Sequence, residues 1–312
     1  MGEHSKIEWT ENTWSPWWGC QKISPACQNC YGDTLSHRWG RDCWGEKPRL
    51  MLSEAHWRKP LAWNRKAERE GRIIPVFPSM CDPFEDRPEL VEPRMALFGL
   101  IRRTPNLFWL LLTKRPEHAA DMLEIAGYNP HGGDSKNFGL GVTVESNDYT
   151  WRIAELLKVP AALHFISGEP LLSSLDVSPW LYSPCQKCQV HLPVDEWDLT
   201  ICDGCPRKTP TSRRALGWVI AGGESRPKAR PSHPDHFRSL RDQCQAAGVP
   251  FFFKGWGQIV PEAQEDKSVM RRVCRWEQDG VNYASVGKKA AGRLLDGRTW
   301  DEVPAVLEAP DA

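Results

Sequence analysis

Three cysteines stand close together near the start of the chain: Cys20, Cys27 and Cys30, spaced C-x6-C-x2-C in a loop rich in Gly, Pro and Ser. No fourth cysteine follows at ligand spacing; Cys43 and Cys81 are isolated. Thiolates so placed can hold three irons of a [4Fe–4S] cluster and leave the last iron without a protein ligand, a position open to chemistry. S-adenosylmethionine fits that position through its amino and carboxylate groups, and an electron from the cluster then cleaves it to a radical. Spacing alone leaves two other readings open. The cysteines could bind zinc with a remote His4 or His37, or be buried thiols without metal.

A second set lies downstream: Cys185-x2-Cys188, thirteen residues, then Cys202-x2-Cys205. Paired CxxC knuckles form a zinc-ribbon pattern with all four positions filled, so a structural Zn²⁺ is expected. A second iron–sulfur cluster is the alternative. Arg207, Lys208, Arg213 and Arg214 follow, in a solvated loop or against phosphates. Cys244 falls in a helical pattern and reads as packing, and Cys81 falls on the rim described below.

These residues must be carried by a scaffold. Short strands are expected at residues 6–10, 73–79, 107–113, 138–144, 162–167, 216–221 and 250–254, and helices at 33–39, 53–69, 88–103, 116–126, 147–158 and 234–247. The strands are continuous apolar runs such as Leu107-Phe108-Trp109-Leu110-Leu111-Leu112, as in parallel sheets buried on both faces. The expected class is α/β, a full or partial (βα)6-type TIM-like barrel with a small zinc-ribbon-like insertion. Its parts are residues 1–177, the barrel's first portion with the cysteine loop; 178–214, the insertion; 215–260, the barrel's last portion; and 261–312, a basic extension. Most strands end in polar residues: Ser79 to Asp82, Thr113-Lys114-Arg115, Thr143 to Ser146, Ser167-Gly168-Glu169, Gly222 to Ser225, and Lys254-Gly255. The C-terminal rim of a parallel barrel is where active sites form, so a shared site is expected there.

The 312 residues are 40% hydrophobic and 26% charged, with a formal net charge of +0. No overall field draws such a chain to nucleic acid, and any contact needs a local patch. The segment 262–300 offers one, with Lys267, Arg271, Arg272, Arg275, Lys288, Lys289, Arg293 and Arg298; a solvated basic face is the plainer reading. The sixteen tryptophans read as packing. The polar first residues set the expectation of no apolar leader, no apolar run reaches membrane length, and the CxxC pairs suit metal in a reducing cytoplasm.

Several ordered segments carry a family resemblance: Ile7-Glu8-Trp9-Thr10, Gly19-Cys20 to Cys30-Tyr31, Leu111 to Glu117, Gly141 to Glu145, Ser167-Gly168-Glu169-Pro170-Leu171, Gly222-Gly223-Glu224-Ser225, Ala229-Arg230-Pro231, Phe252 to Gly257, and Lys288 to Arg293. On these the chain resembles the phage and bacterial three-cysteine-motif proteins related to radical S-adenosylmethionine enzymes. The resemblance implies a barrel of that type, a [4Fe–4S] cluster on Cys20, Cys27 and Cys30, and S-adenosylmethionine as cofactor. Tyr31, Ser79, Asp82, Thr113, Lys114 and Glu145 are then its expected contacts: Ser79 and Asp82 at the amino group, Thr113 and Lys114 at the carboxylate, Glu145 at the ribose. Many relatives have an aromatic before the last cysteine, where this chain has Asn29. Glu169, Glu224, Arg230 and Lys254 are the expected catalytic residues facing substrate, with Arg230 or Lys254 suited to a carboxylate.

The reaction implied is isomerisation of an N-linked glycine on thymine to the C-linked form, in phage DNA hypermodification. Its partners would be a modified DNA base and an electron donor such as flavodoxin or ferredoxin, in the host cytoplasm if the chain is phage-encoded. A radical nucleic-acid lyase, a peptide-modifying enzyme and a non-catalytic zinc-stabilised DNA-binding protein are the alternatives.

Overall fold

The computed structural model describes residues 2–129, 136–181, 215–226, 228–264 and 274–308. Seven parallel strands follow one another across the main sheet in chain order: β1 (Asn12–Thr13), β2 (Ile74–Phe77), β3 (Leu107–Thr113), β4 (Phe138–Thr143), β5 (Leu163–Gly168), β6 (Trp218–Gly222) and β7 (Phe251–Gly255). The connecting helices are α1 (Tyr31–Arg38), α2 (Lys59–Glu70), α3 (Val91–Arg102), α4 (Ala119–Ile125), α5 (Trp151–Leu156) and α6 (Pro234–Ala247). Local chemistry sets the ends of α6: Pro234 starts it, the His233 ring accepts from the Asp235 N–H, and Gly248 ends it at φ 69°.

Both sheet faces are buried, which is why the strands lack polar alternation. Val76, Trp109, Leu140, Val219 and Phe253 pack outward with helix residues such as Phe98, Ile153 and Phe237. Phe77, Phe108, Leu110, Phe165, Trp218 and Phe252 pack inward around Trp9. The Trp9 ring lies 4.5 Å from Phe77 of β2, 6.4 Å from Phe165 of β5 and 6.2 Å from Trp218 of β6. In a flat sheet β2 and β6 would be about 19 Å apart at ~4.8 Å per strand, so the sheet is curled. Gly141 of β4 makes room inside, since a Cβ there would meet the Phe165 ring at 2.4 Å.

The (βα)6 TIM-like barrel is corrected by this architecture. There are seven strands, and the curled sheet stays open as a half-barrel because β1 and β7 do not pair. Their free edges are taken by other chain. Thr13 N–H donates to Gly2 O beside β1, while Phe253 N–H donates to Trp300 O and Phe252 bridges Asp301 antiparallel beside β7. The first strand is also corrected. Residues 6–10 form a turn that carries Trp9 inside the curl, and the strand is Asn12–Thr13. The zinc-ribbon-like insertion is no part of the described fold: Cys185, Cys188, Cys202 and Cys205 lie outside the described residues.

Past β7 the chain forms a three-stranded antiparallel sheet of β8 (Ile259–Pro261), β9 (Cys274–Gln278) and β10 (Val281–Ser285), with β10 central, so the extension's fold begins two residues before the expected boundary. Asp279 and Gly280, both at positive φ (51° and 76°), make the tight β9–β10 turn. Trp17–Trp18 and Leu50–Met51 pair as a small ribbon beside the cysteine loop. Among the described residues no helix is long and apolar enough to cross a membrane.

Candidate functional site

The cysteine loop lies across the C-terminal ends of the parallel strands, held there by the main chain after one strand and by side chains after three others. After β2, Met80 O accepts from Gly19 N–H, and Gly19 bridges Cys81. Gly19 sits at φ 113°, with the Cys43 carbonyl where a Cβ would be, so only glycine fits this crossing. After β3, Arg115 Nη1 reaches Cys20 Sγ at 3.6 Å and Nη2 donates to Gln21 O at 2.8 Å. After β4, Glu145 Oε1 accepts from Ala26 N–H at 3.4 Å. After β6, Asn29 Nδ2 donates to Glu224 Oε2 at 2.9 Å, and Arg230 Nη2 donates to Pro25 O at 2.9 Å.

Several of the expected cofactor contacts, and the expected catalytic residues Glu224 and Arg230, also make bonds within the chain here. Asp82 accepts from Thr113 Oγ1 (2.6 Å), Phe84 N–H (3.0 Å), Lys114 N–H (3.1 Å) and Arg115 Nη1 (2.9 Å), so both its oxygens are engaged within the chain. Glu145 is buried and pairs with Arg152 at 2.9 Å. Arg230 is bound to Glu224 through its backbone N–H at 2.7 Å and through its guanidinium. Burial opposes ionisation of Glu224, but the bonds from Arg230 and Asn29 outweigh it and hold its pKa below the usual carboxylate value. Tyr31 donates its hydroxyl to Ser79 O at 2.6 Å, and burial pushes its pKa up.

Lys254 and Glu169 meet at 2.7 Å, although β6 runs between their strands. Gly222 of β6 allows this, since a Cβ there would lie 3.0 Å from Glu169 Oε1 and 3.3 Å from Lys254 Cβ. Trp9 Nε1 and Ser167 Oγ each donate to Glu169 Oε2 at 3.1 Å. The structure therefore gathers Glu224, Arg230 and Asn29 at the cysteine loop, and Lys254, Glu169 and Trp9 beside it.

The three thiols are half-buried and differ in character. Burial, reinforced by Asp82, pushes Cys20 up, and burial pushes Cys30 up. Burial also opposes the Cys27 thiolate, yet Lys114 and backbone hydrogen bonds at Ile23 and Ser24 outweigh it and bring the thiol below its usual value. Lys114 Nζ is held by Thr143 Oγ1 at 3.2 Å. His37, one of the alternative zinc ligands, faces Asp33 at 3.1 Å. Among the described residues no three His, Cys, Asp or Glu side chains form a ready-made group for a metal ion. Three soft sulfur donors on one loop, with cations beside them, suit an iron–sulfur cluster by donor chemistry.

Sequence reasoning missed one pair. Arg49 and Glu85 are buried and joined at 2.7 Å and 2.8 Å; Glu85 Oε1 also accepts from Gln21 N–H at 2.9 Å, while Arg49 Nη1 donates to Cys43 O at 2.9 Å. No motif surrounds either residue, and the only signal was a lone Arg in a loop of Gly, Lys and Pro.

No curated protein and no solved structure matches this chain. A family model, described as "Protein of unknown function (DUF5131)", matches residues 4–304, nearly the whole of the half-barrel and its extension, and the chain belongs to that family.

Proposed function

We propose that the chain is a radical S-adenosylmethionine enzyme whose [4Fe–4S] cluster is held by Cys20, Cys27 and Cys30. The observation that supports this most is the loop itself: three sulfur donors pinned over the mouth of a curled parallel sheet by four strand ends. Bound there, cluster and S-adenosylmethionine would supply a 5′-deoxyadenosyl radical able to take hydrogen from an unactivated C–H bond.

The chain's own residues fix and shield the site. Lys114 sets positive charge beside Cys27, which favours its thiolate, while Arg115 offsets part of the burial that holds Cys20 protonated. Glu145 and Arg230 hold the loop backbone and Glu224 holds its Asn29 side chain, so the loop stays over the rim while a cluster would draw the three sulfurs together. Lys254, held by Glu169, presents an ammonium to the open side of the rim, where it can fix an anionic group of the substrate. The finer reading, drawn from the resemblance, is conversion of an N-linked glycine on thymine to its C-linked isomer with all atoms conserved.

Anaerobic reconstitution tests the class. The protein should take up about four irons and absorb at about 400 nm, then release 5′-deoxyadenosine from S-adenosylmethionine. Cys20→Ala, Cys27→Ala and Cys30→Ala should each lose all three properties. A protein that takes zinc and refuses iron would falsify the class. Nucleoside mass spectrometry tests the substrate: a product of unchanged mass and altered retention is expected, and any change of mass excludes isomerisation.

A further inference from the structure

Between the ends of β6 and β7 the rim opens into a cavity of about 380 Å³, within the size range of small-molecule sites. Five cations line it, Lys6, Lys254, Lys288, Lys289 and Arg293, against a single lining carboxylate, Glu8. Three of the cations are matched: Lys254 by Glu169, Lys288 by Glu8 and Arg293 by Asp301. Lys6 and Lys289 are exposed and have neither an ion-pair nor a hydrogen-bond partner among the described residues. The cavity therefore carries two positive charges in excess.

The wall is stripped of side chains. A Cβ on Gly223 would lie 2.1 Å from Trp256 O, one on Gly257 2.1 Å from Glu224 O, and one on Gly255 2.7 Å from Gly292 O. Backbone packs on backbone there, so glycine is required at all three positions and the wall between the lysines is main chain.

We infer that this cavity binds the phosphate of a nucleotide or of a nucleic-acid strand. A phosphate monoester carries about two negative charges at neutral pH, which balances the excess. Lysines meet phosphate as point charges. The one arginine here has its fork engaged by Asp301 and the Phe253 carbonyl. Glu224 ties the cavity to the cysteine loop: its neighbours Gly223 and Ser225 line the cavity while its carboxylate holds Asn29. The ligand's purpose rests on the radical reading above; its binding does not.

Calorimetric titration of metal-free protein in low salt tests the inference apart from any redox chemistry. The probes are inorganic phosphate, thymidine 5′-monophosphate, a 5′-phosphorylated oligothymidylate and glycine. Either nucleotide probe should bind, and the Lys6→Ala/Lys289→Ala protein should bind it about tenfold more weakly, with unchanged melting temperature and a shallower salt dependence. A strand that binds at least tenfold better than the monophosphate identifies nucleic acid as the source; equal affinities identify the free nucleotide. Equal binding by variant and wild type overturns the inference, as does no binding of any phosphate probe or displacement by glycine at similar concentration.

Discussion

The two sides of the rim treat charge in opposite ways. Around the cysteine loop the ions are matched and withdrawn from water: Arg49 with Glu85, whose side chains are 0% and 2% exposed, Arg152 with Glu145, and Arg115 with Asp82. At the ends of β6 and β7, Lys6, Lys288 and Lys289 stand in solvent and two of them are unmatched. Buried, bonded pairs fix geometry at a cost in desolvation. Exposed, unmatched charge fixes nothing and stays available to a ligand. The first side is built to hold a constellation still, the second to receive something.

The largest effect should come from Glu85→Ala, which strands the Arg49 charge in the interior. Loss of one partner of such a pair costs about 3–5 kcal/mol. A guanidinium denaturation series should show that loss, and Cys20 should label faster with iodoacetamide. Arg49→Met/Glu85→Leu, which removes both charges, should recover most of the stability. If Glu85→Ala proves as mild as a surface change, the contrast between the two sides fails.

Glu224→Gln comes next. It weakens charged hydrogen bonds worth about 1.5–3 kcal/mol and should act locally, raising labelling of the cysteine loop with a smaller change in global melting. The wild-type clamp should show the matching pH dependence. The Glu224 pKa is lowered on folding, so its contribution is complete above the ordinary carboxylate range and is lost as pH falls through that range to the lowered value. Hydrogen exchange of loop amides should therefore rise on acidification in wild type and change less in the variant.

Asp296→Asn should be smaller. Asp296 receives Arg238, Arg241 and Gln264 and braces the segment that walls the cavity, but its ion pairs are partly in water. A fall in melting temperature of about 2–4 °C at neutral pH is expected. The bonds from Arg238 lead in lowering the Asp296 pKa, so the wild-type advantage is present above the ordinary carboxylate range and fades in strong acid, where the two melting curves should converge. The smallest effect belongs to Lys289→Ala, within about 0.5 kcal/mol of wild type in stability. A clear destabilisation would mean that Lys289 is structural after all.

Much of the scaffold was legible in the chain. The run from Leu107 to Thr113 is a strand throughout, and Pro234 to Ala247 is a helix with the start and stop that its Pro and Gly announce. The apolar runs told correctly that both sheet faces are buried. They could not tell whether the edges would meet. Closure was lost to Gly2 beside β1 and to Trp300 and Asp301 beside β7, contacts between chain ends that no local pattern records. Ile7 and Trp9 were apolar enough to pass for a strand, yet they fill the curl, because an indole there satisfies Phe77, Phe165 and Trp218 together.

By itself the sequence determined the sulfur donors, their spacing and the polar strand ends, since these depend on residue type and local order. Tertiary structure alone decided which polar residues would be spent on each other. Asp82, Glu145 and Arg230 were candidates for a ligand, and each also lies within reach of an opposite charge or a backbone group from a distant segment. An ion withdrawn from water must take the partner that folding brings, while Lys6 and Lys289, left in water, need none.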